Sequence, residues 1–145
     1  MKFTLCIAAL ALASIQSAWA QSDPAIATAA KEPGAVVTST GLVYRSLKEG
    51  EGPNPAATDK VKVHYRGTFP DGREFDSSYK NNQPAEFPLN GVIKCWTEGV
   101  QKMKVGGKAK LTCPASIAYG ERGAGGVIPP NATLQFDVEL LAISK

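Results

Sequence analysis

From residue 60 to 66 the chain alternates, with Val61, Val63 and Tyr65 interleaved by Lys60, Lys62, His64 and Arg66. A period of two gives one wet face and one buried face, and predicts a β-strand. The same alternation returns over 108–113, with Ala109, Leu111 and Cys113 on one side. It returns again over 132–143, where Leu134, Phe136, Val138 and Leu140 face inward and Gln135, Asp137 and Glu139 outward. A first strand is expected over 42–47, and a short one runs through Phe87 and Leu89. Asp71-Gly72 is a hairpin dipeptide, so the strand before it should pair with 73–77 and bring Tyr65 and Phe75 together. One stretch, 91–103, has a different period. Ile93, Trp96, Val100 and Met103 follow at steps of three, four and three, which predicts a helix with one apolar face. Gly106-Gly107 ends it. Together these elements predict an α+β fold, with five or six antiparallel strands curled around one short helix that cannot bury its tryptophan unaided.

Outside these elements the pattern fails in three places. Residues 21–38 are rich in Ala, Ser, Thr, Pro and Gly without periodicity and read as a flexible leader. Residues 114–131, dense in glycine and proline, make a long loop of the kind that often carries function. At the N-terminus, Lys2, an apolar run from Phe3 to Ile15 and Ala18-Trp19-Ala20 match a cleaved signal peptide over 1–20. The folded domain is then expected over 39–145. The apolar run is short for a bilayer and no second one follows, so the product is expected in the periplasm or secreted, with no membrane span.

The chain has 16 basic and 13 acidic side chains in 145 residues, and they are scattered, which argues against a nucleic-acid partner. Only Cys95 and Cys113 remain after cleavage. In an oxidising compartment they could form a disulfide; two buried thiols are the other reading. His64, the one histidine, falls on the polar side of its strand, so a Ser-His-Asp or Cys-His nucleophile is not expected and His64 reads as solvated. Two cysteines and one histidine also fall short of a zinc site, and the glycines of 123–126 precede no helix that could cradle phosphate. What stands out instead is a set of aromatics, Tyr65, Phe75, Phe87, Trp96, Tyr119 and Phe136, with Val92, Ile93 and Ile128. These could simply be core, although buried tyrosines need partners for their hydroxyls.

Several blocks carry a family resemblance: Val63-His64-Tyr65-Arg66-Gly67, Asp71 to Ser78, Gly91-Val92-Ile93-Lys94-Cys95-Trp96, Ala118-Tyr119-Gly120, Ile128-Pro129-Pro130 and Leu134 to Leu140. In this order and spacing the sequence resembles the FKBP-type peptidyl-prolyl cis/trans isomerases. The resemblance implies a sheet curled around a short helix, with a pocket between them for a proline ring. It implies Trp96 as the floor and Tyr65, Phe75, Val92, Ile93, Tyr119, Ile128 and Phe136 as walls, with Phe87 beside them. Asp76 is implied at the edge and 120–130 as a flap. Catalytic roles are implied for Tyr65, Asp76, Tyr119 and Phe136, with the Tyr119 hydroxyl and the Ile93 N–H meeting substrate carbonyls. Expected partners are X–Pro segments of unfolded or exported proteins and tacrolimus- or rapamycin-type macrolides. No cofactor or metal is expected, and a monomer is. A non-catalytic chaperone or binding module using the same groove is the alternative function. The sequence departs from the family at Cys95, usually Gly, and at Cys113, commonly aliphatic, which favours a bond between them. Asn81, Ala85 and Ala124 replace an arginine, a bulky aromatic and a histidine found in some members, changes that bear on substrate preference and macrolide affinity.

Overall fold

The computed structural model describes residues 24–144. The alternation at Val61 becomes the nine-residue strand Lys60–Thr68, which is β3 in chain order after β1 (Ala35–Val37) and β2 (Val43–Lys48). β4 (Glu74–Ser77), β5 (Ala85–Pro88), β6 (Lys108–Cys113) and β7 (Leu134–Ser144) complete one antiparallel sheet in the order β1-β2-β6-β7-β3-β4. β4 and β5 share the outer edge of β3, β4 against Arg66–Thr68 and β5 against Lys60–Val63. β7 pairs with β3 from Lys60↔Ser144 to Thr68↔Gln135. The register steps between Lys62 and Val63, whose partners are Ala142 and Leu140, and a bulge of this kind increases local bending and twist.

The expected hairpin is present: Phe69 N–H donates to Arg73 O (2.9 Å), Gly72 N–H donates to Phe69 O (2.9 Å), and Gly72 has φ +94°. Glycine takes that left-handed conformation without the Cβ penalty.

The helix is shorter than its apolar spacing predicts. It spans Lys94–Val100, against the expected 91–103. Leu89–Gly91 forms a separate 3-10 turn, and Ile93 is an extended cap residue outside the helix (ψ 151°). Met103 is buried, but beyond the helix end. The apolar face survives in Cys95, Trp96 and Val100, pressed on the sheet through Gly99, where an added Cβ would lie 2.8 Å from Leu111 Cδ2.

The stretch read as a flexible leader holds structure that its composition did not announce. Pro24–Ala30 is a helix, α1, the central one being α2, and β1 pairs with β2 as a seventh strand where five or six were expected. Pro24 opens α1 at the position where a missing N–H costs nothing. Charges hold this segment down: Lys110 Nζ lies 3.3 Å from Glu32, and Arg45 Nε donates to Pro33 O at 2.9 Å. A seven-residue helix and a three-residue strand are too short to print a period. The signal-peptide segment 1–20 lies outside the described residues. Among the described residues no helix is long and apolar enough to cross a membrane.

Candidate functional site

The core fills the concave side of the sheet, and α2 lies across it with the indole of Trp96 at 4% exposure. Three rings stand edge-on to that indole. Tyr65 is at 5.3 Å and 84°, Phe87 at 5.6 Å and 88°, and Phe136 at 5.4 Å and 89° between centroids and planes. Phe75 meets Phe136 in the same manner at 5.6 Å and 84°. Edge-to-face pairs set the positive ring edge against the negative face and fix each ring by its neighbours. The result is a cavity of about 480 Å³ with the indole as its floor.

Tyr65, Phe75, Asp76, Phe87, Val92, Ile93, Trp96, Tyr119 and Phe136 line it, as does Gly91, which the sequence did not single out. Ile128, expected among the walls, does not line this cavity. It is 6% exposed, packs into the core from the loop, and lines a neighbouring cavity instead. The family resemblance implied a wall position; here Ile128 O accepts from Ala124 N–H (2.9 Å) in a loop bridge, and the side chain packs into the core.

Apart from the Trp96 indole N–H in the floor, the side-chain polar groups of the lining belong to Tyr65, Asp76 and Tyr119. Tyr65 Oη donates to Asp76 Oδ2 at 2.6 Å, and Asp76 Oδ1 accepts Ser77 N–H at 2.9 Å. Burial, then the hydrogen bond and charge of Asp76, push the Tyr65 hydroxyl well above the ordinary phenol range, so it stays a donor. Tyr119 is 40% exposed, and its hydroxyl makes no hydrogen bond among the described residues. The N–H of Ile93, just before α2, is likewise without an acceptor there, as the first N–H groups of a helix are. Trp96 Nε1 is buried and has no partner among the described residues.

His64 is not the solvated residue its alternation suggests. Its Nδ1 shares a 2.8 Å hydrogen bond with Ser78 Oγ, and its ring stacks on Tyr79 at 4.7 Å. Ser78 Oγ also accepts Tyr65 N–H at 2.8 Å, so this buried serine holds the strand under a rim residue.

Gly67 is the other position that the sequence reading passed over. It continues the inward series Val61, Val63, Tyr65, and it pairs with Asp76 on one side and Phe136 on the other. A Cβ there would stand 2.6 Å from Phe75 Cζ and 3.0 Å from Phe136 Cε1. Both rings occupy the space a side chain would need. The signal was available: an inward strand position with no side chain marks close approach.

The floor has a covalent tie. Cys95, next to Trp96, is disulfide-bonded to Cys113 on β6, with Cα atoms 5.9 Å apart and both residues fully buried. Thus the reading of two free thiols is not the one realised.

An aromatic basin with Tyr65, Asp76 and Tyr119 as its polar side chains besides the indole N–H suits capture of an apolar ring within a polypeptide. Among the described residues there is no cluster of metal-ligating side chains, and His64 is engaged outside the cavity. The arrangement is that of a class of site able to hold an apolar segment of chain.

Comparison with known proteins sharpens the class to a family. Residues 52–141 match the model of the FKBP-type peptidyl-prolyl cis-trans isomerases. The chain is 58% identical over 120 residues to the FKBP-type peptidyl-prolyl cis-trans isomerase FkpA of Aeromonas hydrophila, covering 83% of this chain and 44% of that protein. To the FKBP-type 22 kDa peptidyl-prolyl cis-trans isomerase of Escherichia coli K12 it is 54% identical over 114 residues, 79% of this chain and 55% of the relative. The crystal structure of FkpA from Escherichia coli superposes with a TM-score of 0.82 at 45% identity, over 91% of this chain and 63% of the other. That of a peptidyl-prolyl cis-trans isomerase from Pseudomonas syringae pv. tomato gives 0.79 at 36% identity, over 97% and 100%. The chain belongs to the FKBP-type peptidyl-prolyl cis-trans isomerase family. It spans about half the length of the curated relatives it matches.

Proposed function

We propose that this chain is a peptidyl-prolyl cis/trans isomerase that accelerates rotation about X–Pro bonds in exported proteins. The observation that carries this is the Trp96 indole with Tyr65, Phe87 and Phe136 standing edge-on around it, an apolar seat of mutually braced rings. The uncatalysed barrier of about 18–20 kcal/mol reflects partial double-bond character in the C–N bond. Rotation makes and breaks no bond in the net reaction, so it needs no nucleophile. Resonance separates charge across the planar amide. A dry basin therefore disfavours the planar ground state relative to the twisted transition state, in which conjugation is lost.

In this proposal the proline ring rests on Trp96 between Tyr65, Phe75 and Phe136, with Phe87, Val92 and Ile93 closing the sides. The free Tyr119 hydroxyl and the free Ile93 N–H donate to substrate carbonyls on either side of the twisting bond. Asp76, oriented by Tyr65 Oη and Ser77 N–H, sets the field at the rim. The isomerase domain is 39–145, within which the family match lies, with β1 at 35–37 adding a strand to its sheet, and it acts as a monomer without a cofactor. Export is supported by the signal-like 1–20 and by a disulfide suited to an oxidising compartment. The test is exchange of a short X–Pro peptide with and without tacrolimus. Acceleration that the macrolide abolishes is the expected result. Binding of the peptide with exchange no faster than in buffer would instead leave a non-catalytic binding module.

A further inference from the structure

Beside the proline seat lies a second cavity of about 480 Å³, formed between the β3–β4 turn and the 120–130 loop. Its apolar side is Phe69 and the exposed Val127, Pro129 and Pro130; its charged side chains are Arg73 and Arg122, with no carboxylate in the lining. Only one ring pair separates the two cavities, because Phe69 of the second touches Phe75 of the first with centroids 5.0 Å apart. Arg73 is held in place from two sides. Its Nε donates to Asp71 Oδ2 at 2.8 Å, and its guanidinium carbon lies 4.9 Å over the Phe69 ring. Arg122 is exposed and makes no ion pair among the described residues.

We infer that this cavity is a specificity subsite, in which Arg122 and Arg73 favour X–Pro segments carrying an acidic side chain two or three residues from the proline. The inference rests on the isomerase reading of the neighbouring cavity. An extended peptide advances about 3.3 Å per residue, so two or three residues carry it from the Trp96 seat past the Phe75–Phe69 wall. The occupant is fixed by charge: no carboxylate lines the cavity, Arg122 makes no ion pair among the described residues, and Arg73, paired through Nε with Asp71, keeps its other N–H groups, so a carboxylate with an aliphatic stem meets Arg122 first and the apolar side with it. The groups are exposed, so the preference is modest and salt-sensitive.

The test uses short proline peptides with Glu, Gln or Lys two or three residues to either side of the proline. Exchange rates and binding, the latter followed by the change in intrinsic tryptophan fluorescence, are measured on the full chain. At low salt the best-placed Glu peptide is expected to exceed its Gln counterpart about three- to fivefold in kcat/KM and in affinity, with Lys below both. In about 1 M salt, where the screening length is about 3 Å, the three should converge. Arg122→Gln, at a side chain that makes no ion pair among the described residues, should remove most of the Glu preference; adding Arg73→Gln, which also gives up the contact with Phe69, should remove the rest. Equal affinity for Glu and Gln peptides at every position in the unaltered protein would overturn the subsite. A Glu preference in binding without any acceleration of exchange would keep the subsite and overturn the isomerase activity.

Discussion

Gly67→Ala is the smallest change that should damage the proposed site from inside the sheet. The added Cβ would lie 2.6 Å and 2.9 Å from Phe75 Cζ and Cε1, and 3.0 Å from Phe136 Cε1. Carbon atoms settle at about 3.5–4.0 Å, so Phe75 must retreat by about 1 Å and Phe136 by about half that. Phe136 has little room, being wedged edge-on between Trp96 and Phe75. Both rings can only move toward the cavity they wall. Overpacking of this kind costs about 1–3 kcal/mol, offset by about 0.5–1 kcal/mol because alanine is favoured over glycine in a strand. A net loss of about 1–2 kcal/mol should lower Tm by several degrees, about 4 °C per kcal/mol for a domain of this size. Activity should suffer more, since displacement by about 1 Å can cost about a hundredfold. Exchange of an X–Pro peptide should fall at least tenfold while circular dichroism keeps the native spectrum. Gly125→Ala is the control, because a Cβ there meets nothing within 4 Å. A Gly67→Ala protein with full exchange activity would refute the assignment of Phe75 and Phe136 as walls of the working cavity.

Other perturbations separate the remaining parts. Replacing both Cys95 and Cys113 by alanine opens a loop of 18 residues and should cost about 3 kcal/mol, read as a fall of roughly 10 °C in the melting temperature; an unchanged melt would mean that the bond contributes nothing. Tyr65→Phe removes the 2.6 Å bond to Asp76, and Asp76→Asn removes the charge; each should lower kcat/KM several-fold with stability changed by about 1 kcal/mol, and full activity in both would misplace the rim. The Tyr65 hydroxyl is pushed up, chiefly by burial and then by Asp76, so its contribution to stability is complete below pH about 10 and fades as pH climbs beyond it. Denaturation midpoints between pH 9 and about 12 should therefore fall less steeply in Tyr65→Phe, though Tyr44 and Tyr79, also raised, keep part of the slope; equal slopes would exclude Tyr65 as a source. Gly123→Ala sets a Cβ 2.3 Å from Ile128 O at φ +69° and should disrupt the loop, changing KM for peptides before it changes Tm.

How much of this was legible depended on the length of each element. Val61, Val63 and Tyr65, and Leu134 to Leu140, lie on strands of nine and eleven residues, long enough for alternation to declare the inner face before any coordinate was known. α1 and β1 escaped because seven and three residues hold barely two turns or one repeat; β1 is held by backbone pairing with β2, and α1 buries only Ala29. The helix was overextended for a related reason. Ile93 and Met103 are spaced as if helical, yet the first caps the helix and the second packs beyond its end. Spacing reports which residues point to the core, and several backbone paths can deliver them there.

The site itself was legible to the extent that it is built from side chains. Nine of the lining residues were marked in advance, whereas Gly67 and Gly91 act by having no side chain and leave only a gap in the pattern. Ile128 misled because a loop residue's direction is set by backbone bonds such as Ala124 to Ile128, which no periodicity records. The same physics explains the division of labour in the cavity. Floor and walls come from elements with fixed direction, α2, β3, β4, β5 and β7, cross-braced by edge-on rings and the Cys95–Cys113 bond. The groups proposed to meet a variable substrate, Tyr119 and Arg122, come from the loop. In the proposed reaction, rigidity at the Trp96 seat would let binding energy go into twisting the bond, and a loop at the rim would let different flanking residues enter. Grafting a longer loop between Gly120 and Asn131 should therefore alter preference among flanking residues far more than the rate on the shortest X–Pro peptide. A comparable loss of rate on every peptide would place the loop in the catalytic seat itself.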